Sequence, residues 1–369
     1  MPINIIDEFI KLTSISSPSK KEGALASYLK KRLKSFGAEV YEDNSAEFTG
    51  SDTGNLLARF PGNKKAPAVL LAAHMDTVEP TEGMSPQIRD GIIYSDGQHI
   101  LGADDKAGIA VILGVLSALQ EDETIQHGPL EMLFTVQEEL GLIGVKHLNF
   151  EFESQLGYVL DGDGPVGTIV NASPSHITLD LTIEGKAAHA GLAPESGINA
   201  IVVASEAISK IPSGRLDEET TSNFGTISGG KGRNIVADRV DIKAEVRSRN
   251  KIKLANETEK IIKTFTDTAN RYQARFIYQK ELAYESFSID PTHPVINHAI
   301  RAGRGLGIDV VLKATGGGLD ANILNSKGIS CVALGLGNGN PHTKEEYAIM
   351  EELSKAKDFM LAIIQHISQ

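Results

Sequence analysis

The chain has 369 residues, a length that accommodates two or three domains at ~150 residues each. Hydrophobic residues make up 41% and charged residues 23%, the composition of a soluble globular protein and not of a disordered one. Lys and Arg number 36 against 48 Asp and Glu, a net charge of −12. That argues against a nucleic-acid binder, whose affinity rests on cations placed at phosphates.

The first 15 residues carry Asp7, Glu8 and Lys11 where a signal peptide would be apolar, so a cytoplasmic protein is expected. Residues 19–36 read as an amphipathic helix stopped by Gly37. Residues 55–60 and 68–73 read as strands. The second is an almost unbroken apolar run, as in a sheet buried on both faces. Residues 105–119 read as a helix. Its apolar stretch contains Gly114 and Ser117 and falls short of the ~20 residues that span a bilayer. Strands follow at 130–136 and 157–160. Such alternation predicts an α/β sandwich around a largely parallel sheet.

The pattern changes near Ser175. Ile177, Leu179, Leu181 and Ile183 alternate with polar residues, giving a strand with one wet face. Then come a helix at 197–211, strands at 224–227 and 235–246, and a helix whose apolar stripe is Leu254, Thr258, Ile261, Phe265, Ala269 and Tyr272. A strand at 275–282 completes a βαββαβ order, which fits a ferredoxin-like module. After Pro291 a helix at 298–306, strands at 309–312 and 329–334 and a helix at 345–367 resume the first pattern. The simplest organisation is one α/β domain interrupted by an inserted α+β domain, with two successive domains as the alternative.

Several of these strands end in polar residues. His74 and Asp76 follow the run at 68–73, and period two puts them on one face at the carboxyl end, where open α/β sheets bind ligands. Asp104 and Asp105 precede a helix, which suits either an N-cap or a metal ligand. Glu138 and Glu139 follow the strand at 130–136, and Asp161 follows 157–160. His342 lies in a Gly/Asn/Pro loop before the last helix. Two histidines and three carboxylates suit zinc or manganese. The single cysteine, Cys331, excludes both an intramolecular disulfide and a cysteine-based zinc site. A pair of divalent ions bridged by a carboxylate matches such a donor set.

The segments AAHMDTV, GADDKAG, TVQEELGLIG, LDGDG, GKAAHAGLAPESGINA, GGGLDAN and NPHTKEE occur in this order over residues 74 to 346. Together they resemble the M20 family of metallopeptidases, most closely its peptidase-T-like branch. The resemblance implies a zinc-peptidase-like three-layer α/β catalytic domain, residues 1–175 and 288–369, with an inserted ferredoxin-like lid and dimerisation domain, residues 176–287. It implies that His74 and Asp161 hold one zinc ion, that Glu139 and His342 hold the other, and that Asp104 bridges, with cobalt or manganese as substitutes. Asp76 would orient His74, Glu138 would be the general base, and the Asp104–Asp105 peptide would be cis. In the inserted domain, His189 would stabilise the oxyanion and Arg247 would bind a substrate carboxylate. Asn234 matches the lid asparagine, although Ala237 stands where the family has proline. Gly317, in the run 316–318, would line the substrate pocket. That run lacks the Lys-Ser/Thr of a phosphate loop.

The expected activity is removal of the N-terminal residue from short peptides, tripeptides first, with a homodimer through the inserted domain and no nucleic-acid or membrane partner. The alternative within the fold is an N-acyl-amino-acid amidohydrolase or a glutamate-carboxypeptidase-type enzyme. From other classes, a non-catalytic small-molecule or metal-binding protein would make the acid and histidine set incidental. A nicotinamide oxidoreductase lacks its early Gly-rich fingerprint.

Overall fold

The computed structural model describes residues 3–369. The chain forms two compact units. The first is built from the segments up to Ala172, Ser288–Thr315 and Leu319–Gln369. The second comprises Ser173–Phe287 with Gly316–Gly318.

Strands Val69–His74 and Leu130–Thr135 are buried at every position, which is why their sequences are apolar without alternation. They pair in parallel. Leu156–Gly162 pairs in parallel with Val69–His74 on its other side, and Ser330–Gly335 pairs in parallel with Leu156–Gly162. The segment after Pro291 thus re-enters the first sheet. The sheet is mixed beyond this parallel centre. Leu56–Phe60 and Glu39–Glu42 extend one side antiparallel, and Thr168–Ser173 runs antiparallel to Ser330–Gly335 on the other. Helices Ile5–Thr13, Ala103–Glu121, Pro294–Leu306 and Met350–Ile367 complete the core with Phe9, Leu113, Val295 and Phe359.

In the second unit Ser175–Glu184 buries alternate residues, including Leu179, Leu181 and Ile183. The sheet runs Gly214–Arg215, Thr220–Gly229, Arg239–Ser248, Ser175–Glu184, Arg275–Tyr284, antiparallel throughout. Helix Lys251–Arg271 starts at Asn250, whose side chain accepts from the amides of Ile252 and Lys253. It buries Leu254, Thr258, Ile261, Phe265 and Ala269. Tyr272, expected on that stripe, is instead the exposed C-cap, with its hydroxyl on Glu206 at 2.6 Å.

Several boundaries differ from the sequence expectation for local reasons. The strand expected from 235 begins at Arg239, because Val236 donates to the Ala188 carbonyl and Ile235 bridges to His189. The strand expected at 224–227 runs through Thr220–Gly229. The last helix begins at Met350 because Tyr347–Ile349 is a strand. That strand joins Asn338–Gly339, Ile92–Tyr94 and Gln87–Arg89 in a small four-stranded sheet. Strands of two or three residues leave no period to read. Among the described residues no helix is long and apolar enough to cross a membrane.

Candidate metal centre

Four of the first unit's strand ends and loops converge. His74 closes the strand Val69–His74 and is buried. Its Nε2 lies 2.9 Å from Asp104 Oδ1 and 4.0 Å from Asp161 Oδ1. On the other side of Asp104, Oδ2 lies 3.3 Å from His342 Nε2, which is 2.9 Å from Glu139 Oε2. Two donor groups result, His74 with Asp104 and Asp161, and Asp104 with Glu139 and His342. Asp104 belongs to both and turns one oxygen to each.

Each donor is held from behind. His74 Nδ1 lies 2.9 Å from the Asp76 carbonyl oxygen and 3.5 Å from its carboxylate, so the expected Asp76 contact is made mainly through the backbone. The buried Asp76 carboxylate has a further task that the sequence did not reveal. Oδ1 accepts from the Glu138 amide at 2.9 Å, and Oδ2 accepts from the Glu139 amide at 3.2 Å and from Ser19 Oγ at 2.7 Å. Glu22 and Asn55 fix the same turn, Glu22 through the Gln137 amide and Asn55 through the Val136 amide and the Gly144 carbonyl. None of these contacts has a local sequence signal, because their partners are 57 to 115 positions away.

Asp105 is buried and takes the N-cap side of the sequence expectation. Its carboxylate accepts from the His74 amide at 3.2 Å and from the Gly108 amide at 3.0 Å, pinning the strand end to the helix start. The Asp104–Asp105 peptide is cis. His342 projects from the loop between Asn338–Gly339 and Tyr347–Ile349, at φ 63°.

The centre is crowded with negative charge. Burial raises the proton affinity of Glu138, a rise opposed by His74 and reinforced by the carboxylates of Asp320, Glu139 and Asp104. Burial and the neighbouring Asp104 likewise hold Asp161 well above the usual carboxylate range. Asp104 moves the other way, because its bonds to His342 and His74 outweigh its burial. His342 is pushed up to about 10 by Asp104 and Glu139. Glu139 Oε1 is buried and has no hydrogen-bond partner among the described residues. Three carboxylates and two imidazoles aimed at two points, one acceptor left unpaired, fit a pair of divalent cations.

The remaining predicted residues lie in the second unit. His189 is exposed, and its Nδ1 accepts from the amides of Gly191 and Leu192 at 3.1 Å each. In the neutral ring that leaves the proton on Nε2. Asn234 is brought beside it, its carbonyl accepting from the Ala190 amide at 2.9 Å. Arg247 is engaged by Glu245, with Nε and Nη2 each 3.1 Å from a carboxylate oxygen, and its Nη1 is 3.4 Å from the Tyr284 hydroxyl. The Gly317 carbonyl accepts from Ser173 Oγ at 2.8 Å.

A carboxylate shared by two histidine-containing donor groups, with a further glutamate beside them, defines the metallohydrolase class. The profile of peptidase family M20/M25/M40 matches residues 70–366. An aminopeptidase PepT structure from Bacillus cereus is 40% identical and superimposes with a TM-score of 0.91, covering 99% of this chain and 98% of that one. A tripeptidase structure from Staphylococcus aureus is 35% identical with a TM-score of 0.94, covering 99% and 98%. An uncharacterized protein, YqjE, of Bacillus subtilis is 40% identical over 366 residues, 99% of this chain and 98% of its own. The chain belongs to peptidase family M20/M25/M40 and is a metallopeptidase.

Proposed function

We propose that the protein is a dinuclear zinc aminopeptidase that removes the N-terminal residue from short peptides, tripeptides above all. The observation that carries this reading is the division of the Asp104 carboxylate, one oxygen toward His74 and the other toward His342. Two relatives of 35% and 40% identity that bear the names tripeptidase and aminopeptidase PepT support the substrate class. His74 and Asp161 would hold one ion, Glu139 and His342 the other, and Asp104 both. Zinc is favoured by the imidazole and carboxylate donors, with cobalt and manganese as functional substitutes. When bound, two such ions make a water acidic near neutral pH and polarise the scissile carbonyl.

The chain's own residues do the rest. Glu138 takes the proton of the attacking water on its carboxylate and returns it to the leaving amine. Asp76 holds the backbone of Glu138 and Glu139 in place for this. His189, with its Nε2 proton, donates to the developing oxyanion. Arg247 receives the substrate's C-terminal carboxylate on its Nη1 side, since Glu245 occupies Nε and Nη2. Asn234 and Gly317 complete the substrate contacts. The second unit also offers a place for a second copy. Among the described residues, only Thr221 and Ser222 of the strand Thr220–Gly229 pair with Gly214–Arg215, and no strand covers the outer edge of 223–229. A monomer mass by light scattering excludes that dimer.

The test is amine release by metal-stripped protein re-supplied with zinc, cobalt or manganese, offered a free tripeptide and its N-acetylated form. Metal-dependent cleavage of the free tripeptide alone is expected. Preference for the acetylated peptide overturns the aminopeptidase reading.

A further inference from the structure

Helix Ala103–Glu121 opens on an irregular segment, with Gly102 at φ 73° and Asp104 and Asp105 outside helical φ/ψ, and its regular turns start only after Asp105, which caps the Gly108 amide. The amides of Gly102 and Asp104 in the irregular segment take acceptors from elsewhere. A residue 242 and 244 positions further on supplies them. Glu346 Oε2 accepts from the Gly102 amide at 2.7 Å, and Oε1 accepts from the Asp104 amide at 3.0 Å. Glu346 is 1% exposed, so it is a buried carboxylate with both oxygens committed. The buried Lys106 follows, its Nζ donating to the Ile15 carbonyl at 2.7 Å; burial pulls its proton affinity down to about 7, against the opposing charge of Glu346.

Glu346 is also part of the loop that carries His342. Its amide donates to the Thr343 carbonyl at 3.2 Å, and Thr343 Oγ1 donates to the Asn340 carbonyl at 2.8 Å. Ser95 anchors that loop from outside, its Oγ donating to the Lys344 carbonyl. One side chain therefore joins the segment bearing His342 to the backbone bearing Asp104. These two residues sit 3.3 Å apart in the second donor group, and Asp104 is the member shared with the first.

We propose that Glu346 is a positioning residue for the metal centre, a remote clamp on the backbone of Gly102 and Asp104 that sets Asp104 against both donor groups and fixes the His342 loop to it. Its carboxylate is in neither donor group, and it acts through the Asp104 backbone and the loop. Both cation sites depend on it, because both use Asp104. This inference rests on the two-ion reading of the centre.

The test is cobalt(II) binding to the metal-stripped full chain, followed by calorimetry and by the visible absorption of the bound ion. Glu346→Gln keeps the length but presents one acceptor and one amide group to two N–H donors. Glu346→Asp keeps the charge but shortens the reach to the two amides. Each variant is expected to weaken binding of both ions by about 10- to 100-fold, the range seen when a residue supporting a metal ligand is lost. Native-like circular dichroism shows that the variant is folded, and if Glu346→Gln does not fold, Glu346→Asp is read. A merely structural residue lowers the melting temperature and leaves cobalt affinity and spectrum at wild-type values, and that result overturns the proposal. Wild-type chain that binds no cobalt overturns the two-ion reading and this inference with it. Wild-type chain that binds two ions beside variants that bind them equally well overturns the role of Glu346 alone.

Discussion

Glu138, the proposed general base, is held in place beside the candidate ligands. Its amide is held by Asp76 at 2.9 Å, and its carboxylate, raised by burial, stands among the charges of Asp320, Glu139 and Asp104. Neither donor group includes it. Glu138→Gln keeps the shape and removes the proton acceptor, so the protein should still bind two ions while turnover falls by about 10²- to 10⁴-fold, the usual worth of a general base. Metal content by atomic spectroscopy beside kcat on a tripeptide checks this, and a near-normal kcat rejects the assignment. The candidate donors His74, Asp104, Glu139 and Asp161 were legible in the sequence because each follows a recognisable strand or opens a helix, and His342 only through its motif. The residues behind them were not. Ser19, Glu22, Asn55 and Glu346 are ordinary polar residues until the fold brings partners from distant segments, and no period encodes such a meeting. Arg247 illustrates the reverse. Its motif was visible, but the Glu245 that occupies two of its nitrogens lies two residues away on the same strand, and no local pattern marks that they pair.

The elements carry these residues only if they approach closely enough. Helix Ala103–Glu121 meets the strand Leu156–Gly162 at Gly108, where an added Cβ would lie 2.2 Å from the Leu160 carbonyl oxygen and 2.5 Å from Asp105 Oδ1. The helix brings Asp104 and the strand brings Asp161, so the glycine sets the spacing between two candidate ligands. Gly108→Ala must push the helix outward or displace Asp105 from the His74 amide. The expected cost is about 1–3 kcal/mol, as for an overpacked core site, together with weaker ion binding. Denaturant unfolding of the metal-free variant measures the first and cobalt titration the second, and unchanged values for both refute this account of the contact. At this scale the sequence was informative wherever an element was long and periodic. The buried parallel strands, the long apolar helix and the stripe of Lys251–Arg271 followed from their patterns. The four-stranded sheet that carries the His342 loop did not, since its strands have two or three residues each. The helix Asp320–Ser326 has no counterpart in the sequence reading, because seven residues after three glycines show too little pattern to detect.

The whole molecule contains two hydrophobic cores with no residue in common. One gathers Phe9, Leu113, Val295 and Phe359 of the first unit, and the other gathers Leu179, Leu181, Val246 and Phe265 of the second. All the candidate ligands belong to the first unit. A ligand that binds only the folded form stabilises that form by mass action, by about 4 kcal/mol when its free concentration is a thousand times its dissociation constant. Divalent ions should therefore stabilise one unit and not the other. Differential scanning calorimetry of the metal-stripped chain should give two transitions, and added zinc should move only one upward. Phe265→Ala identifies the other. Phe265 is fully buried and stacks on Phe276 with ring centroids 5.5 Å apart, so its loss should cost the second unit about 3–5 kcal/mol. The transition that falls in this variant should be the one zinc leaves in place. If zinc raises the transition that Phe265→Ala lowers, the two cores melt as one cooperative body, and the ions' stabilisation reaches the second unit as well.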